Sequence, residues 1–393
     1  MPIQVQTELA GGTASEAAHK LHASLVSKLA GEAPQLLLIC ASTQQPLEEL
    51  MPAFARLFPE TVLLGASTAG EFTETGDAKG SVSVVALAGD IRVQASMGVG
   101  LKEDVEAAMQ AAASAIDPAL PGYPYRAALL LLDPLTGAGE EATLLAGAML
   151  GPETLLAGGA AGDDLAMKSG KVALGTRVAA DAAVLAVLHS KQPFGLGVAH
   201  GHQPLSPTLK VTRAQGNTVH ELNGAPAWQI WAEHTRASAA TRSVDPDTLA
   251  EDAVGAYLLR YEAGLPIRNE LKIRAPLSRN TDGSLNFACG IPEGAEIRIT
   301  ESVPERQIQS ASQAAKLARA ALGGREVAGA IVFDCICRNL ILGSRFGEAV
   351  ATIRRELGGA SFAGFETYGE IALGAGDMSG FHNTTTVVLA LAR

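Results

Sequence analysis

The sequence predicts an α/β fold, mixed α+β in detail, in which duplicated strand-helix-strand-Gly turn-strand units form sheets flanked by helices. Three observations predict it. A short phrase occurs three times: Gly65-Ala-Ser67-Thr68-Ala-Gly70-Glu71, Gly159-Ala-Ala-Gly162-Asp163 and Gly364-Phe-Glu-Thr-Tyr368-Gly369-Glu370. Each follows an apolar run and closes on glycine plus a carboxylate. Each is also flanked by further apolar runs, upstream at 35–40, 127–133 and 327–333 and downstream at 81–87, 182–188 and 384–391. A helix-like stretch lies between upstream run and phrase, as at 45–57 and 347–357, so the unit repeats. Glycine allows backbone angles that a side chain forbids, so each phrase reads as a strand entering a tight turn with a carboxylate at its mouth. Three such mouths are expected to converge on one concave polar site.

The elements follow in order. Thr13 or Ser15 can cap a helix whose apolar face is Ala17, Ala18, Leu21, Leu25, Val26 and Leu29. The first unit spans 35–100. A helix over 103–116 opens with acidic residues and stops at Asp117-Pro118. The second unit spans 126–200, with a turn at Asp133-Pro134 and a helix over 140–150. Residues 203–298 depart from the repeat. There Asn223-Gly224 marks a turn, a helix begins near Pro226, 237–248 reads as a linker, and 271–274 and 296–300 alternate as half-buried strands. A helix over 307–322 ends at Gly323-Gly324, and the third unit completes the chain. Two halves, 1–220 and 221–393, are expected.

Composition bounds function. The 393 residues are 47% hydrophobic and 18% charged, enough apolar surface for a large core. Aromatics are 4%, so packing must rest on small aliphatics and close backbone approach. The net charge of −11 disfavours nucleic acid and anionic membranes. No apolar run approaches the roughly 20 residues that span a bilayer, and no signal peptide is legible, so a cytoplasmic protein without membrane insertion is expected. The cysteines are Cys40, Cys289, Cys335 and Cys337, too few for a disulfide framework. Cys335 and Cys337 are read as alternating along a strand, their thiols on opposite faces, which argues against a shared metal or a mutual disulfide.

By the third unit the chain resembles a known family. Phe333-Asp-Cys335-Ile-Cys-Arg338, the Gly364–Ile371 phrase and Phe381-His382-Asn383-Thr384 are similar to the C-terminal half of FIST proteins. The first two phrases are similar to the family's N-terminal half, and Leu222-Asn223-Gly224-Ala-Pro226 to the junction. The family usually has Gln where Thr384 stands. The resemblance implies an intracellular signal-transduction sensor rather than an enzyme, binding a small, amino acid-like molecule. Some members are haem proteins that sense nitric oxide and act on a histidine kinase or a cyclic-di-GMP enzyme. No kinase or cyclase is legible in the chain, so a separate histidine kinase or other signalling protein is the expected partner.

For an amino acid, Arg338 at a strand end can offer its fork to the carboxylate, and Glu370, Glu71 or Asp163 can hold the ammonium. Ser67, Thr68, Tyr368 and Asn383 can orient it, with Cys335 flanking the pocket. Alternatively, Arg338 and Glu370 form a structural ion pair. Haem would need an axial ligand, for which His220 and His234, near Trp228 and Trp231, are the expected residues. His200-Gly-His202 lacks a cysteine pair for zinc. Ser67 misses the nucleophile-elbow spacing, and Gly158-Gly159-Ala-Ala-Gly162 runs into Asp163-Asp164, which would repel phosphate. No catalytic residue is assigned. A hydrolase-like enzyme using the acidic turns and a pure interaction scaffold are the alternatives.

Overall fold

A computed structural model describes residues 2–117, 119–374, 376 and 380–393. The repeated unit is longer than the sequence suggests, because each copy starts one strand and one helix earlier. The first is β1 (Gln4–Ala10), α1 (Ala14–Lys28), β2 (Leu36–Ala41), α2 (Leu47–Leu57), β3 (Val62–Ser67), β4 (Glu71–Thr73), β5 (Gly76–Ala78) and β6 (Val82–Ala88). The second is β7 (Ile91–Val99), α3 (Val105–Ala113), β8 (Tyr125–Leu132), α4 (Gly139–Leu150), β9 (Leu155–Ala160), β10 (Val172–Leu174), β11 (Arg177–Ala179) and β12 (Ala182–Ser190). The third opens with β13 (Phe194–His200) and is then interrupted.

The interruption holds β14 (His202–Pro204), β15 (Leu209–Gln215), β16 (Thr218–Leu222), β17 (Ala225–Pro226), α5 (Ala227–Ala240), α6 (Glu251–Arg260), β18 (Tyr261–Ile267), β19 (Glu270–Arg274), β20 (Pro276–Arg279), β21 (Leu285–Phe287) and β22 (Glu296–Ser302). The third unit resumes with α7 (Pro304–Ala321), β23 (Val327–Cys335), α8 (Ile336–Leu342), α9 (Phe346–Glu356), β24 (Ser361–Thr367), β25 (Glu370–Leu373), β26 (Gly380–His382) and β27 (Thr385–Ala392).

Local chemistry explains the ends. Thr13 caps α1 in a reciprocal box with Glu16, satisfying two otherwise unpaired N–H groups. Asp104 caps α3, which stops at Ala113, before Asp117; Pro118 lies outside the described residues. Asn223 and Gly224 both take positive φ, 51° and 80°, as the predicted tight turn requires. The 237–248 stretch is not wholly a linker, since α5 continues to Ala240.

Three six-stranded sheets share one order: β1-β6-β2-β3-β10-β11, β7-β12-β8-β9-β25-β26 and β13-β27-β23-β24-β4-β5. In each, one parallel pair (β2–β3, β8–β9, β23–β24) comes from a strand-helix-strand crossover. The hairpin after each Gly turn does not return to its own sheet. The first unit's β4–β5 joins the third sheet, the second's β10–β11 the first, and the third's β25–β26 the second. The exchange is cyclic, so no unit is complete without both others.

Alternation then builds two kinds of core. Leu36, Leu38 and Cys40 of β2 enter a core shared by all three sheets, together with Leu129, Leu131, Ile331, Phe333 and Phe365. Leu37, Ile39 and Ala41 point the other way, under α1 and α2. Equivalent outer layers lie under α3 and α4 and under α7 and α9. Strands buried on both faces explain the unbroken apolar runs. Close backbone approach replaces aromatic bulk: a Cβ at Gly195 or Gly197 would strike the Ala318 or Ala314 carbonyl of α7.

The interruption forms a fourth, nine-stranded sheet with α5 and α6 around Trp231, Tyr261 and Phe287. It is fastened over the mouths of the turns. Lys272 and Arg274 each reach Glu140 of α4 at 2.6 Å, Arg274 donates to the Phe381 carbonyl at 2.9 Å, and the Ala275 N–H donates to Asn383 Oδ1 at 3.2 Å.

Candidate functional site

The three Gly turns meet. Ser67 Oγ donates to the Gly162 carbonyl (2.7 Å), and the Gly162 N–H donates to the Ser67 carbonyl (2.8 Å). The Ala69 N–H donates to Glu366 O (3.1 Å), and the Glu366 N–H to Gly70 O (2.8 Å). The Ala160 N–H donates to Gly369 O (2.8 Å), and the Tyr368 N–H to Ala160 O (3.2 Å). Every turn thus bonds both others. The glycines do not serve the purpose predicted for them, because none of Gly70, Gly162 and Gly369 has positive φ. They are required by proximity. A Cβ on Gly70 would lie 2.5 Å from Glu366 Oε2, one on Gly162 2.6 Å from the Ala69 nitrogen, and one on Gly369 2.1 Å from Phe381 Cζ.

Two carboxylates of the repeat are held alike. Glu71 accepts from the Thr68 hydroxyl three residues earlier and from the Ser81 hydroxyl (2.6 Å) and N–H (3.2 Å). Glu370 accepts from the Thr367 hydroxyl, also three residues earlier, and from the Thr385 N–H (3.1 Å). Both are buried, and desolvation favours their neutral forms. Burial and then the nearby Asp164 charge act against the Ser81 and Thr68 bonds to push Glu71 up to about 7. Glu370 is pushed well above the carboxylate range by burial first. Glu366, facing Gly70, rises to about 8, chiefly through burial. These acids are interior structural groups, away from any open mouth.

Asp163 differs. It accepts from the N–H groups of Met167, Lys168 and Ser169 (2.8, 2.6 and 2.9 Å) and from the Tyr368 hydroxyl (2.6 Å). Burial would raise its pKa, but Tyr368 and these backbone donors outweigh it and hold the carboxylate below its ordinary value. Tyr368 Oη also accepts from the Leu165 N–H (2.8 Å). Asp163 and Tyr368 together fix a loop in which Asp164, Leu165 and Met167 take φ of 52°, 67° and 53°, costly for side-chain-bearing residues.

The predicted role of Arg338 is corrected. It lies within α8 and is completely buried, not presented at a strand end. Its Nε donates to Asp334 (2.7 Å), Nη1 to Ser310 (2.7 Å) and to Gln307 Oε1, and Nη2 to the Gln307 carbonyl (3.0 Å). The fork is committed within the protein, and its ionic partner is Asp334, not Glu370. The cysteine reading is corrected too. Cys335 ends β23 and Cys337 lies in the first turn of α8, so the backbone bends between them and both line the same cleft. Burial, then the Cys337 thiol, raises Cys335 well above the ordinary thiol value.

Beside these groups opens a cleft of about 530 Å³ between the fourth sheet, the second unit's loops and α8. Cys335, Cys337, Tyr368 and Asn383 line it with apolar groups from Pro134, Leu259, Pro276, Phe287 and Ile336. No charged side chain lines it among the described residues. Leu135, Leu165, Met167, Leu277 and Leu340 stand on its walls, and these are five of the ten exposed large hydrophobic residues among the described residues. Apolar surface is thus concentrated here, as at ligand sites. Of the residues expected from sequence, Cys335, Tyr368 and Asn383 reach the cleft. Ser67 and Asp163 border a separate hollow of about 320 Å³. Thr68, Glu71, Glu370 and Arg338 are interior.

Sequence reasoning missed the apolar walls. Leu165 and Met167 stand out within a Gly- and Asp-rich loop, and that contrast was the available signal. Leu277 and Phe287 carry none, since their place depends on how the fourth sheet docks. Thr384 turns its hydroxyl to Glu262 (2.8 Å). His220 and His234 lie on β16 and α5, outside the cleft, and His220 faces Asp282 at 3.9 Å. The residues predicted to ligate haem therefore do not fit a haem in this cleft. Among the described residues no group of three or more His, Cys, Asp and Glu is placed to hold a metal ion, and no helix is long and apolar enough to cross a membrane.

Comparison with known proteins adds the family. A curated relative, an uncharacterized protein of Methanocaldococcus jannaschii, is 26% identical over 183 residues, 44% of this chain. The match spans 33% of that relative's length. A solved structure, a cyanuric acid hydrolase from A. caulinodans, aligns over 100% of both chains at 8% identity and a TM-score of 0.32, too distant to inform fold or function. The FIST N domain matches residues 35–225, including the first two Gly turns, and the FIST C domain matches 229–373, including the third and the Cys335–Arg338 segment. The chain therefore belongs to the FIST family, whose two domains cover nearly its whole length.

Proposed function

We propose that this chain is a cytoplasmic sensory module that binds a small molecule in the uncharged cleft and relays binding to a separate signalling protein such as a histidine kinase. FIST domains are associated with signal-transduction sensing, which fits a binding role rather than turnover. The observation that carries the proposal is the cleft itself: apolar walls, a phenol, two amides and two thiols, and no charged lining group among the described residues. Such a lining suits a largely apolar ligand with one or two hydrogen-bonding groups. It suits a zwitterionic amino acid poorly, because both charges would lose water without a partner. Binding can report outward because the cleft joins three parts of the chain and one wall is the strained 163–169 loop.

The test uses an uncharged fluorescent probe, N-phenylnaphthylamine. Saturable one-site binding is expected, and Ala288→Trp, which fills the cleft, or Leu277→Arg, which charges it, should weaken binding on the order of tenfold or more. Both positions are exposed, so the fold should survive. Unchanged binding in both variants would remove the cleft from the site. Haem is decided separately by the Soret region of the absorption spectrum after reconstitution.

A further inference from the structure

Cys335 and Cys337 are free thiols two residues apart that line the same cleft and pack in the same small apolar cluster. Around them the lining is apolar, with Ile336, Leu340, Leu259 and Phe287 close by. Cys40 is elsewhere, within β2, and Cys289 does not line the cleft. Two thiols two residues apart on one wall of an apolar, solvent-connected space are a candidate bidentate soft-donor site. Its charge environment narrows what it can hold. No cationic side chain lines the cleft among the described residues. A monovalent soft ion held between two thiolates would carry a net negative charge and sit uncompensated, at a desolvation cost. A neutral complex would not.

We propose that the cleft captures organic trivalent arsenicals, R–As(OH)2, as neutral dithioarsenites bridging Cys335 and Cys337, with the organic group R against the apolar walls. This rests on the reading of the cleft as the ligand site. Two As–S bonds form and two As–O bonds break. Each thiol proton leaves with a hydroxide as water, and arsenic stays trivalent, so nothing is oxidised or reduced. Two thiols act as one chelate, because the second bond forms at a high effective concentration. Burial disfavours a free Cys335 thiolate, but the product carries no thiolate charge.

Phenylarsine oxide on the reduced full-length chain tests this. Intact mass spectrometry should show one phenylarsenic that resists a monothiol wash and leaves with a dithiol. Tryptic digestion should place it on peptide 326–338, which contains both cysteines and ends at Arg338. Cys335→Ser and Cys337→Ser should each weaken retention on the order of a hundredfold, and Cys40→Ser should leave it unchanged. Peptide mapping of the unmodified chain needs no variant to fold. Label on the Cys40 or Cys289 peptide, or none after the monothiol wash, overturns the proposal. If N-phenylnaphthylamine binds in the cleft while 326–338 stays unlabelled, the dithiol inference falls and the cleft reading stands. If 326–338 is labelled but the probe never binds, the apolar-ligand reading falls instead.

Discussion

Arg338 is completely buried, and its guanidinium holds Asp334, Gln307 and Ser310 at once. Thr386 donates to the other Asp334 oxygen at 2.8 Å, so the acid is also fully partnered. Removing one member of such a pair strands the other in low dielectric. Arg338→Ala is therefore expected to cost about 3–5 kcal/mol in urea unfolding. Binding of an apolar probe to the cleft should change only as far as the folded fraction changes. A stable Arg338→Ala protein with lost binding would instead make this arginine a recognition residue. At this scale sequence misleads for a simple reason: a charged side chain after an apolar strand has the same spelling whether it faces solvent or a buried aspartate.

At the scale of elements, the Gly turn is an interlocking part. The Thr68–Glu71 and Thr367–Glu370 bonds hold two of the turns with one device, whereas the second unit has Ala160 and Ala161 before Gly162 and uses Asp163 to organise the following loop. The turns then touch through their backbones, where nothing can yield. Gly162→Ala would place a Cβ 2.6 Å from the Ala69 nitrogen. A destabilisation of about 2–3 kcal/mol is expected from such overpacking. Gly255→Ala, in α6 with open space around it, should be neutral or slightly stabilising. Equal denaturation midpoints for Gly162→Ala and the unmodified chain would show that the turns do not need close approach. Helix α8 makes the same point for function. Its start directly after β23 turns an apparent strand alternation into two thiols lining one cleft.

For the whole molecule, cyclic hairpin exchange buries a set of acids near the junction of the turns, and their titration should be visible in global stability. Glu71 and Glu366 rise from 4.5 to about 7 and about 8. The folded state therefore holds their protons more tightly than the unfolded chain does. Their contribution is complete below about pH 4.5 and is lost as pH rises through 7 and 8. His200 works in the opposite sense: burial lowers it from 6.5 to about 4, so its contribution is complete above 6.5 and lost as pH falls towards 4. Between about pH 6.5 and 8 the acids should dominate, with a loss on the order of 2 kcal/mol from Glu366. Urea unfolding at the two pH values measures it, and Glu366→Gln should flatten the slope. A slope unchanged in that variant would place its origin elsewhere.

The sequence by itself determined the threefold repetition, the strand-helix-strand order, the Thr13 and Asn223-Gly224 signals and the family. Each is written in local spacing, capping chemistry or short motifs, which neighbouring residues suffice to express. It also pointed to Cys335, Tyr368 and Asn383, which stand within the recognised segments and do reach the cleft. The tertiary structure alone decided which sheet each hairpin joins, which acid Arg338 meets, whether the two thiols share a side, and where Leu165, Leu277 and Leu340 assemble into one wall. Those outcomes depend on contacts between residues far apart in the chain, such as Glu71 with Phe365 or Ala275 with Asn383. Periodicity fixes which face of an element is apolar, but the partner that covers that face is chosen by the packing of the whole chain.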